Sequence, residues 1–171
     1  MFARGLLAAC VAFAGVAFGS TPAFTAPELV AFSSNYHPGT IIVRTGERRL
    51  YLVLGGGTAA RYKVGVGKAG KQWAGVSHVD GKYVYPAWAP PPDLMRERRM
   101  SPAVIPGGSP HNPMGVAALT LAGGQYAIHG TNAPNSIGGF VSSGCIRMYN
   151  HDITDLYQRV QVGTPVVVVA R

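Results

Sequence analysis

A chain of 171 residues is the size of a single domain, since length sets a soft prior of roughly 100 to 200 residues per domain. Apolar residues make up 47% and charged residues 13%, which supplies a core and excludes a disordered, highly charged chain. The formal charge of +8 suits an anionic polymer as partner. The only basic cluster, Arg96, Arg98 and Arg99 around Glu97, lacks interleaved aromatics and reads as a solvated loop, not a nucleic-acid groove.

Residues 1–26 read as a signal peptide. Met1 to Gly5 carries one charge, Arg4, and Leu6 to Phe18 is apolar or small throughout. That run is about 13 residues, short of the roughly 20 that span a bilayer. Cleavage after Gly19, Ala23 or Ala26 would export the chain to the periplasm or cell envelope. Residues 27–38 are expected to form an N-terminal linker and residues 39–171 the folded domain. Cys10 lies in the leader, so the mature chain would keep Cys145 alone and form no internal disulfide. A lone thiol in an oxidising compartment asks for a reason, and catalysis is the obvious one.

From Thr40 the chain reads as β-hairpins. Thr40 to Thr45 is rich in β-branched residues, Gly46-Glu47 turns, and Arg48 to Leu54 is mostly apolar. Gly55 to Gly57 then leads into Ala60 to Val66, where Tyr62, Val64 and Val66 share a face. Lys82 to Tyr85 is a further strand, bounded by Asp80-Gly81. Residues 86–115 hold eight of the 13 prolines and are expected to form a long ordered loop, serving either as a substrate-lining lid or as a structural wrap. Ala117 to Leu121 and Gln125 to His129 follow as strands around a Gly123-Gly124 turn. Beyond Cys145, Asn150 is placed to cap a helix carrying Ile153, Leu156, Tyr157 and Val160 at helical spacing, with Gly163 at its end. Pro165 to Val169 reads as a buried strand.

Gly65-Val66-Gly67-Lys68-Ala69-Gly70 matches the dinucleotide-binding pattern, but no helical period follows, so a turn is expected there. The histidines at 37, 78, 111, 129 and 151 have no zinc-motif spacing with one another or with Cys145, so neither metal nor cofactor is expected. Seven scattered acids offer no carboxylate pair for glycoside hydrolysis.

There remain His129-Gly130-Thr131-Asn132 and Ser142-Ser143-Gly144-Cys145-Ile146-Arg147-Met148. A thiol is a few per cent ionised at neutral pH and needs a histidine to take its proton, a task that suits His129. Gly144 permits close approach of a substrate carbonyl, and backbone amides around Ser143 to Cys145 are candidates for an oxyanion hole.

These segments, with the 16-residue step from His129 to Cys145, resemble the L,D-transpeptidase catalytic domain of the YkuD and ErfK/YbiS/YcfS/YnhG type. The likeness extends over about residues 39 to 171 and includes Asn112-Pro113-Met114-Gly115. Many relatives carry histidine where this chain has Ser143. The resemblance implies a mainly β sandwich of mixed sheets, with a short helix after the cysteine and a long proline-rich loop. It also implies cysteine acyl transfer. Cys145 would attack the L-centre carbonyl of meso-diaminopimelate in a tetrapeptide stem and release D-alanine. His129 would act as base and then acid, held by a backbone carbonyl near Gly130, while Arg147 would bind a substrate carboxylate or brace the loop. Partners implied are peptidoglycan stem peptides, or an envelope protein as acyl acceptor, with the enzyme a monomer that binds no nucleic acid. A carbapenem should acylate the same thiol. An L,D-carboxypeptidase or other cysteine hydrolase would share every residue named, whereas a silent wall-binding module should lack the His-Cys pair.

Overall fold

The computed structural model describes residues 26–99, 103–123 and 126–170. The expected signal peptide, apart from Ala26, lies outside them. In chain order the elements are β1 (Glu28–Ala31), β2 (Ile41–Arg44), β3 (Arg49–Gly55), β4 (Thr58–Lys63), β5 (Val66–Gly67), β6 (Gly75–Val84) and α1 (Pro92–Arg98). Then follow β7 (Ala117–Leu121), β8 (Ala127–His129), a short 3-10 turn (Pro134–Ser136), β9 (Phe140–Ser142), β10 (Ile146–Arg147), α2 (Asn150–Arg159) and β11 (Pro165–Val169).

Ile41, Ile42 and Val43 are all buried, so β2 is covered on both faces and belongs in the middle of a sheet. It pairs antiparallel with β3 and parallel with β11. The full order is β1-β4-β3-β2-β11-β6-β7-β8-β10, with β5 and β9 forming a separate parallel pair. β2 with β11 and β8 with β10 are parallel and the other pairs of the large sheet antiparallel, which makes it a mixed sheet.

β6 joins the two halves of this sheet. Its first residues pair with β11 and its last with β7, and the register shifts between Val79 and Gly81. Asp80-Gly81, expected to bound the strand, instead forms this irregularity within it, so the strand is longer than Lys82 to Tyr85. One core cluster draws Ile41 and Leu50 from one half, Leu119 and Ile128 from the other, and Ile153 and Leu156 from α2. Each such fully buried side chain contributes about 1.5 to 3 kcal/mol. The mainly β architecture with its post-cysteine helix agrees with the expectation.

Three local features differ from the sequence reading. β1 falls within the expected linker and pairs with β4 from Glu28↔Arg61 to Ala31↔Thr58. The basic cluster sits in or just after α1 and not in a loop. Pro92 occupies the first turn of that helix, where the missing amide costs nothing. Asn150 does not cap α2: it is the first helical residue, with Tyr149 at the cap. Tyr62 of β4 donates to Asp155 at 2.6 Å, fastening α2 to the opposite half.

Candidate active site

β10 is only two residues long, and its neighbours fix it. Ile146 stands opposite Ile128 and Arg147 opposite His129. Gly65 exchanges two backbone hydrogen bonds with Arg147, at 2.8 and 2.9 Å, and the Met148 amide donates to the His129 carbonyl at 2.8 Å. Both isoleucines are buried in the core. Alternation along a strand therefore turns Cys145, Arg147 and His129 to the opposite, outer face. The GxGxxG match thus belongs to a strand contact, and a Cβ at Gly65 would lie 2.9 Å from the Ser136 carbonyl oxygen.

His129 is only 4% exposed. Its Nδ1 lies 2.6 Å from the Gly130 carbonyl oxygen. A carbonyl can only accept, so Nδ1 carries the proton and Nε2 remains the basic nitrogen. Burial pushes the imidazole down to about 4; the positive charge of Arg147 acts the same way, and the carbonyls of Gly130 and Pro113 oppose it. The ring is therefore a neutral base at pH 7. Asn150 supports this segment from behind, its Oδ1 accepting from the Thr131 amide at 2.9 Å. Gly130 and Gly115 make room for it, since a Cβ on either would lie 2.3 Å from that oxygen.

The cysteine loop is braced from inside. Ser142 Oγ donates to the Cys145 carbonyl at 2.6 Å and accepts from the Gly144 amide at 3.1 Å. The Gly144 amide is thus engaged within the loop. The Ser143 and Cys145 amides are the remaining oxyanion candidates of the three. Gly144 has φ +126°, and a Cβ there would meet the Tyr126 ring at 2.2 Å. Tyr126 stacks on Trp73 with centroids 4.9 Å apart, and the Trp73 indole donates to the Gly144 carbonyl at 3.0 Å. Cys145 is half-buried. Burial pushes its thiol up, against the Ala127 backbone and the Arg147 charge, which lower it.

The proline-rich loop covers this face. A cavity of about 190 Å³ lies between Trp88, Ile105, His111 and Pro113 of the loop and Ser143 and Arg147 of the cysteine segment. Asn112 holds the loop's shape. It is 1% exposed, and its Nδ2 donates to the carbonyls of Pro86, Pro106 and Ile105 at 2.8, 3.1 and 3.3 Å. Its Oδ1 accepts from the Met114 amide at 2.9 Å. One carboxamide thereby joins the start, middle and end of the loop. Lys68 pairs with Glu97 of α1 and adds an exposed tether, a contact of little energetic weight.

All six sequence-predicted site residues, His129 and Gly130 on one segment and Ser143, Gly144, Cys145 and Arg147 on the other, lie on these two adjacent segments. Sequence reasoning missed Ser142, Trp73, Tyr126, Asn112 and Asn150 as supporting residues. The local signal for Ser142 was its position three before the cysteine, the spacing of a turn-closing hydroxyl. Trp73 and Tyr126 gave no local signal.

Residues 38–168 match the model of the L,D-transpeptidase catalytic domain family, YkuD. The chain is 40% identical over 149 residues to the probable L,D-transpeptidase YbiS of Escherichia coli, covering 82% of this chain and 47% of that protein. It is 39% identical over 154 residues to the probable L,D-transpeptidase ErfK/SrfK of the same organism, covering 85% and 48%. The fold is shared with an L,D-transpeptidase from Mycobacterium smegmatis, at TM-score 0.60 and 16% identity over 77% of this chain and 58% of that one. The chain spans about half the length of the curated relatives it matches. With the family match covering most of the sequence and the fold in agreement, this chain belongs to the YkuD L,D-transpeptidase catalytic domain family.

Proposed function

We propose that this chain is an exported peptidoglycan L,D-transpeptidase that works as a monomer, with Cys145 as nucleophile and His129 as its proton acceptor and donor. The observation that carries the reading is the parallel pairing of β8 with β10, with Arg147 opposite His129 and the cysteine one residue before β10, under a proline-rich cover.

The chemistry starts from two neutral groups. As Sγ of Cys145 bonds to the L-centre carbonyl carbon of meso-diaminopimelate, its proton passes to Nε2 of His129. Collapse of the tetrahedral adduct breaks the bond to D-alanine, whose amine leaves with that proton. An acceptor amine then attacks the thioester carbon, gives a proton to His129 and expels the cysteine sulfur, which takes the proton back. The Ser143 and Cys145 amides would hold the oxyanion, and Arg147 would hold a substrate carboxylate in the geometry a guanidinium favours. Residues 86–115 would act as the lid, excluding water so that the amine wins. The acceptor is a second stem, giving a 3-3 cross-link, or a lysine of an envelope protein.

Product analysis tests the reaction class. Incubation with disaccharide-tetrapeptide and an added amine should yield the amide and free D-alanine, with no turnover in Cys145→Ala. Release of D-alanine with only tripeptide as co-product would make the enzyme an L,D-carboxypeptidase. Among the described residues no helix is long and apolar enough to cross a membrane. Fractionation of the source cells would test export, which rests on the 1–26 leader.

A further inference from the structure

A second cavity, of about 520 Å³, lies between Gly108 to Pro110 of the loop, Thr131-Asn132 and Tyr149 to His151. Its size falls in the range of roughly 300 to 1,000 Å³ typical of ligand sites. The catalytic scheme makes no use of it.

Its lining has a distinct chemistry. The protein carries a formal charge of +8, yet among the described residues no lysine, arginine, aspartate or glutamate lines this cleft. Three flat rings do. Tyr149 and His151 stack at 5.4 Å with planes 8° apart, and Tyr85 is 56% exposed beside the same cleft. Ser109 and Asn132 add a hydroxyl and an amide.

Tyr85 is also held at a cost. Its φ is +45°, a backbone conformation that residues other than glycine and asparagine rarely take. Its amide donates to the Val116 carbonyl at 2.8 Å, extending the β6–β7 ladder by a residue. Gly107 packs so closely that a Cβ there would lie 1.8 Å from the Tyr85 carbonyl oxygen. A tyrosine kept in a glycine's conformation, with its ring left in solvent, points to a use for the ring.

We propose that this cleft binds the glycan strand of the substrate, taking neutral N-acetylated amino sugars on the faces of Tyr85 and Tyr149. Sugar rings present apolar C–H faces that stack on aromatic rings, and their hydroxyl and acetamido groups bond to neutral polar side chains. A cleft lined by aromatic rings, a hydroxyl and amides on a basic protein suits the neutral glycan better than an anionic polymer. The reach is right. This inference rests on the proposed acyl transfer, in which the attacked carbonyl belongs to the third stem residue. Three extended residues span about 10 Å, and the cleft begins at Thr131, two residues beyond His129.

The test uses a peptide-free probe, tetra-N-acetylchitotetraose, with saturation-transfer NMR on the whole chain and maltotetraose as control. The chitin oligomer should bind and maltotetraose should not. Tyr85→Gly relieves the backbone strain, so it should fold at least as stably as the parent while losing roughly five- to tenfold in sugar affinity. Tyr149→Ala should lose a similar amount. The preference for disaccharide-tetrapeptide over free tetrapeptide as donor should shrink in both variants. Absence of binding, or binding undiminished by both substitutions, would overturn the proposal. Acylation of the wild-type chain by free, sugar-less tetrapeptide reports separately on the transpeptidase reading, so the two fail independently.

Discussion

Arg147 stands directly opposite His129 in the parallel pairing of β8 and β10, and its guanidinium charge acts on both His129 and Cys145. It pushes the imidazole down and the thiol down. Burial works with it on His129 and against it on Cys145. Replacing Arg147 with Gln should therefore raise both pKa values: the histidine becomes easier to protonate and the thiolate harder to form. NMR titration of His129 and the pH dependence of Cys145 alkylation would measure the two shifts, and a shift of opposite sign in either would count against the geometry.

Burial lowers His129 to about 4, so the base stays neutral across mildly acidic pH. Acylation should persist at pH 5 to 6, where a histidine of ordinary pKa, about 6.5, would already be protonated. Steady-state rates from pH 4 to 8 would check this, and a loss of activity centred on 6.5 would contradict it.

The same shift bears on stability. Between about pH 6.5 and 4 the unfolded chain takes up a proton at this position while the folded chain does not, so stability falls as pH drops through that window and levels off below it. The loss from this one group is about 3 kcal/mol. Denaturant titrations should show this part of the pH dependence vanish in His129→Gln.

Asn112 joins three parts of the proline-rich loop through one carboxamide. Asn112→Ala leaves buried carbonyls without a donor and should cost about 1 to 3 kcal/mol. The loss should concentrate in this loop: hydrogen exchange should rise over residues 86–115 more than in β2 or β11, and, if the loop is the lid, KM should rise more than kcat falls. Uniform destabilisation would show that the loop has no independent role.

A methyl group at Gly144 would drive into Tyr126 and disturb the Trp73 hydrogen bond to the same residue. Gly144→Ala should cut acylation by at least tenfold, on the order of 1.4 kcal/mol in the barrier. Far-UV circular dichroism should stay close to that of the parent.

The parts proposed to do the chemistry were legible because each motif is local. Cys145 and His129 announce themselves within short segments, and β2, β3 and β11 declare themselves by apolar runs. Trp73 and Asn150 were not legible as supports because they act across long separations: Trp73 reaches a carbonyl 71 residues away, and Asn150 an amide 19 residues away. Asn150 looked like a helix cap because its type suits that position. The structure uses it to hold Thr131 instead. α1 was hidden by its own prolines, which read as breakers although Pro92 sits where a helix tolerates one. β1 was hidden because four residues carry too little pattern to declare a strand.

The central claim is that a stem peptide becomes attached to Cys145, and intact-protein mass spectrometry tests it most directly. Among the described residues Cys145 is the free cysteine, and the other cysteine, Cys10, lies in the expected leader. Incubated with disaccharide-tetrapeptide, the reduced, processed enzyme should gain the donor mass less D-alanine. A carbapenem should add to the same thiol, and both adducts should disappear in Cys145→Ala. A folded, reduced sample that gains mass from neither reagent, or that still gains it in Cys145→Ala, would contradict the assignment.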